Sequence, residues 1–279
     1  MINNKERINM VDDYINCVDR AHKYIYVDTT LEKRNPIEIE QKQIAYLTKN
    51  MHTDIDSNGV SYLLKLAKVD MNEHLGAGLD YLEEAKQNLQ ENNQSKKING
   101  FLVCCDIMSD SRISSNTKDI ILESIDLGIP YKTIAQEAKL QQIFDRDIEV
   151  QKQNEKEFNY EMRSRTDNIK QFVSDLDSRI MSNESKEYLN NIAPFIPYPI
   201  REQDSKSTND NLIKMVDKIF DKGSSEEIQD IQEIGNNFIQ NSKTGTINNQ
   251  NFEEFRGNLK DVYQEVAENS KQEKLSFEA

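Results

Sequence analysis

The strongest constraint in this sequence is the spacing of its apolar residues, which return at alternating three- and four-residue steps through most of the chain. Ile8, Val11, Ile15, Val18, His22 and Ile25 make one such stripe, and Val60, Leu64, Ala67, Met71, His74, Gly78, Leu82, Ala85 and Leu89 make a longer one. Steps of three and four place side chains on one face of an α-helix, whereas a strand would need alternation at two. Only 9 Gly and 5 Pro interrupt 279 residues, so little punctuation is available for a sandwich or barrel. The expected class is all-α: a helical N-terminal body, a long projecting helix and a small C-terminal helical bundle.

The punctuation that does occur is specific. Asn35-Pro36 followed by Glu38 places a cap, a proline at the first helical position and a capping acid at the start of a helix through Met51. Gly128, with Ile129 and Pro130 behind it, stops the helix over 116–127. The apolar run Phe101–Cys105 is short, and its helical surroundings favour a helix. From Tyr131 to about Met181 no Gly or Pro occurs, which predicts one long helix or two nearly collinear ones. Its apolar seam is interrupted by Gln151, Glu155 and Arg165.

Three of the five prolines fall in Ala193–Ile200. Proline fixes the backbone and removes a donor, so residues 194–206 are expected to be a hinge between a domain over 1–193 and a three-helix bundle over 207–268. Ser224 and Glu227 read as a capping box inside that bundle, and residues 269–279 as a disordered tail.

Charge narrows the function classes. Thirty-five Lys and Arg against 49 Asp and Glu leave a formal charge of −14, which disfavours a general nucleic-acid partner. No run of about 18 apolar residues predicts a membrane span, and the first residues lack the apolar core of a signal peptide. With three cysteines and no disulfide framework, the expected location is the cytoplasm. Catalytic signatures such as Gly-x-Ser-x-Gly, a Walker-type loop or His-Glu-x-x-His do not occur.

Four weaker patterns carry chemistry. His22 and His74 lie on apolar stripes of different helices, with Asp19 and Asp70 nearby, so facing stripes would bring N and O ligands together inside a bundle. Asp54-Ile-Asp56-Ser-Asn58-Gly59 resembles the first half of an EF-hand calcium loop, with Lys65 where the closing glutamate belongs. Residues Thr117–Phe144 resemble the start of a helix-turn-helix DNA reader, with Ile134, Ala135, Ala138 and Leu140 at matching offsets and Lys139 in place of the turn glycine. The Glu-rich end, Gln264–Ala279, resembles the C-terminal translocation signals of type IV secretion substrates. That resemblance implies a bacterial effector delivered into a host cell without a signal peptide.

The reading these features favour is a non-catalytic adaptor or scaffold that binds a protein partner or a second copy of itself, with no cofactor. Its contact residues are expected to be Ile169, Phe172, Leu176 and Ile180 on the distal seam, with Phe195 and Tyr198 in the hinge. A bundle metal site with His22, His74, Asp19, Asp70, Asp54 or Asp56 as ligands, and a degenerate helix-turn-helix, are the alternatives.

Overall fold

The computed structural model describes residues 4–26, 36–52, 54–73, 87, 89, 100–137, 148–197, 202–244 and 247–277. Among them are eleven α-helices, one 3-10 turn and no strand, so the class is all-α. The chain divides into two compact units, residues 1–162 and 163–279.

The first unit holds α1 (Asn4–Tyr26), α2 (Pro36–Asn50), α3 (Ser57–Glu73), α4 (Gly100–Ser109), α5 (Ser115–Asp126), α6 (Tyr131–Glu137) and the beginning of α7 (Ile148–Ser178). Helix α3 packs against α1, α2, α4 and α5, and Val60, Leu63, Leu64, Leu66 and Ala67 are buried there. The run containing Phe101–Cys105 is helical, and every residue of α4 from Gly100 to Met108 is buried. A helix apolar all round needs neighbours on all sides, and α1, α3, α5 and α6 supply them. A Cβ at Gly100 would stand 2.5 Å from the carbonyl oxygen of Tyr131, so glycine there permits the close approach of α4 to the start of α6.

Caps fix where these helices begin and end. The Asp56 carboxylate accepts the Gly59 amide at 2.7 Å and caps α3. Helix α5 ends as its sequence predicts: Gly128 takes φ 79°, the Gly128 amide donates to Ile125 at 2.8 Å, and the Ile129 amide donates to Ser124 at 3.0 Å. These are the paired bonds of a Schellman stop. The N-terminus of α5 is held from another helix, because Glu155 of α7 accepts both the Ser114 amide and the Thr117 hydroxyl at 2.9 Å. A polar residue in the α7 seam thus anchors a helix end.

The second unit holds the rest of α7, then α8 (Asn183–Ile192), a 3-10 turn over Ala193–Phe195, α9 (Glu202–Lys222), α10 (Ser225–Thr244) and α11 (Asn249–Phe277). Helices α9, α10 and α11 pack on one another, and α8 packs on α9 and α10. Leu212, Val216, Ile219, Ile231, Leu259 and Val266 form the core, with Phe238 stacked on Phe255 at 4.5 Å between ring centroids. Ser224 and Glu227 make the reciprocal capping box: the Ser224 amide donates to Glu227 at 2.6 Å, and the Glu227 amide donates back to Ser224 Oγ at 3.3 Å. Tyr188 crosses α10 and donates its hydroxyl to the Ile231 carbonyl at 3.0 Å. A Cβ at Gly235 would lie 2.7 Å from that ring.

Several boundaries differ from those the sequence suggests. The division between units falls inside α7, between residues 162 and 163. The proline segment lies within the second unit instead, and its residues Phe195, Ile196 and Pro197 are buried. Residues from 202 onward, expected as hinge, are already helical, and α11 continues to Phe277 through most of the expected tail. Of the stretch expected as one long helix or two nearly collinear ones, the described parts are α6 and the 31-residue α7; residues 138–147 between them lie outside the described residues. No described helix is long and apolar enough to cross a membrane.

Candidate functional site

Asp70, a proposed metal ligand, is 1 % exposed near the end of α3. Tyr14 of α1 donates its hydroxyl to one carboxylate oxygen at 3.1 Å, and Tyr131, the first residue of α6, donates to the other at 2.7 Å. Phe101 of α4 lies edge-on to both tyrosine rings, with centroids 4.7 and 5.1 Å away. Burial, then the Asp70 charge, pushes both phenols well above their ordinary pKa, so they stay protonated donors. A carboxylate held by two phenols in an apolar shell ties three helices together. The arrangement is a structural clamp, not an open ligand set.

The remaining metal candidates do not join it. Asp19 and Asp54 are exposed, and the exposed Asp56 is engaged as the cap of α3. His74 and the side chain of His22 lie outside the described residues. Among the described residues no three metal-ligating side chains come together. The histidine the structure does pair is His52, which no pattern singled out: its amide and Nδ1 lie 2.9 and 3.0 Å from Oδ1 of buried Asp13. The calcium-loop resemblance accordingly ends in a helix cap. For the helix-turn-helix resemblance, α5 and α6 supply two helices, while the segment from Ala138 that would follow lies outside the described residues.

Cysteine chemistry is suppressed. Burial raises the Cys17 thiol to about 12, and burial raises Cys104 and Cys105 further, which leaves negligible thiolate at neutral pH.

The expected partner surface is also altered. Ile169, Phe172 and Leu176 are no more than 1 % exposed; their seam is covered by the chain itself, so these residues do not present a docking face. Phe195, the last residue of the 3-10 turn, is buried, and Tyr198 lies outside the described residues. Ile180, just beyond α7, is fully exposed.

A different surface feature stands out in the second unit. A recess of about 500 Å³ opens between α9 and α11, with Lys214 and Met215 on one wall and Arg256, Gly257, Lys260 and Tyr263 on the other. The α11 residues recur at steps of three and four, so they share one helix face. Glu253 borders the recess and pairs with Arg256 at 2.7 Å. Among the described residues no carboxylate pairs with Lys214 or Lys260. The Lys218 ammonium lies 5.0 Å above the Tyr263 ring, adding a cation beside the recess. The sequence does hint at this site, since Arg256 and Lys260 stand four apart on one helix of an acidic chain; what it lacks is their pairing with Lys214 across another helix.

No family model, curated protein or solved structure matches this chain.

Proposed function

We propose that this protein is a non-catalytic helical adaptor that binds a protein partner through the recess between α9 and α11. The observation that supports this reading is a concave surface of about 500 Å³ on which Lys214, Arg256 and Lys260 stand against a single carboxylate, Glu253. Among the described residues both oxygens of Asp70 are engaged by tyrosines and the three thiols are buried. With the distal α7 seam closed, the recess replaces it as the partner surface.

A photo-crosslinking amino acid placed at position 214 or 260 of the full chain, in cells, tests the reading. The expected result is a discrete protein adduct at both positions and none at exposed Tyr160, which lies in the first unit. Absence of any adduct at 214 and 260 would overturn it.

A further inference from the structure

Resting on that reading, we infer that the recess between α9 and α11 takes a short, extended, acidic peptide segment of the partner. The first argument is charge. The second unit carries 15 basic and 21 acidic residues, a net −6, yet the recess has Lys214, Arg256 and Lys260 against Glu253 alone. Cations on two facing helices, two of them without a carboxylate partner among the described residues, complement a segment bearing several carboxylates. The net negative charge around the recess opposes a long polyanion such as nucleic acid, which would have to lie beyond it.

The second argument is shape. Residues 253 to 264 of α11 span roughly 16 Å at 1.5 Å per residue, which about five extended residues cover at 3.3 Å each. Met215 and Tyr263 line the recess together with the cations and add apolar surface to it, so the segment should combine acidic and apolar side chains.

The third argument is Gly257. Glycine inside a helix is unfavourable relative to alanine, and here packing does not require it, because a Cβ at position 257 would meet nothing within 4 Å. What the glycine provides is open floor in the recess.

The test uses the full chain and a fluorescein-labelled octapeptide, Glu-Leu-Glu-Ser-Glu-Leu-Glu-Ser, read by anisotropy. Controls are the same peptide with Gln for Glu and an oligothymidylate of equal charge. The expected result is binding of the Glu peptide that weakens as salt rises, with neither control competing. Lys214→Ala with Lys260→Ala should weaken it about tenfold. Gly257→Leu should abolish it with an unchanged circular-dichroism spectrum, and Gly257→Ala should retain it and melt no lower than the parent. Equal binding of the Gln peptide, tighter binding of the oligonucleotide, or parental affinity in both Gly257→Leu and the double lysine variant would overturn the inference. If the octapeptide fails while cross-linking at 214 and 260 still captures a protein, the acidic-peptide assignment falls and the adaptor reading stands.

Discussion

Asp106 on α4 offers the sharpest test of the first unit's electrostatics. It is 6 % exposed, and among the described residues its Oδ1 has no hydrogen-bond partner. Burial raises its carboxyl from 3.8 to about 7, the Arg7 charge opposing and the Asp110 charge adding to the rise. The unfolded chain therefore gives up this proton near pH 4 and the folded chain only near pH 7. Between those values the folded state binds more protons, so rising pH destabilises it. At 1.36 kcal/mol per pH unit the loss approaches about 4 kcal/mol and is complete above pH 8. Asp106→Asn keeps the shape and removes the titration. The difference in unfolding free energy between variant and parent, from urea denaturation at pH 5, 6, 7 and 8, should move toward the variant by about 1.4 kcal/mol per unit from pH 5 to 6. It should flatten above 7. Taking the difference cancels the histidines and surface carboxylates common to both proteins. A difference constant across the series would refute the assignment of a protonated Asp106 in the fold.

Other substitutions probe separate features. Gly235→Ala should lower stability by about 1 to 3 kcal/mol despite better helix propensity, because its Cβ meets the Tyr188 ring; thermal melting with increased stability would contradict the packing. Tyr131→Phe should cost about 1 to 3 kcal/mol by withdrawing a donor from buried Asp70, measured by chemical denaturation. Phe172→Ala should cost about 3 to 5 kcal/mol while leaving the light-scattering mass unchanged, since Phe172 is buried within its own chain; a change of mass at constant stability would restore the seam as an assembly surface.

Local features of the fold were legible in the sequence because they are written within a few residues. The Gly128 stop and the Ser224–Glu227 box each span only a helix end, and the apolar stripes report helix faces directly. Asp70 was legible only as a carboxylate beside the stripe histidine His74, and its phenolic partners lie 56 and 61 positions away, beyond any local periodicity. The α1 stripe runs through Ile15 and passes over Tyr14, although Tyr14 stands three residues from Val11 and four from Val18 and is fully buried. The unit boundary was hidden for the converse reason. A continuous helix carries the chain across it, whereas Pro194 and Pro197 flank Phe195 and Ile196, two apolar residues that are buried within the second unit.

The three thiols all belong to the first unit, and their burial turns them into native reporters of its opening. A thiol reagent added to the intact chain can modify Cys17, Cys104 or Cys105 only after the helices around them separate, so the labelling rate counts excursions of that unit alone. The second unit, with no cysteine, is silent in the same experiment. One protein thus permits the opening of the first unit to be timed apart from the second without introducing a probe.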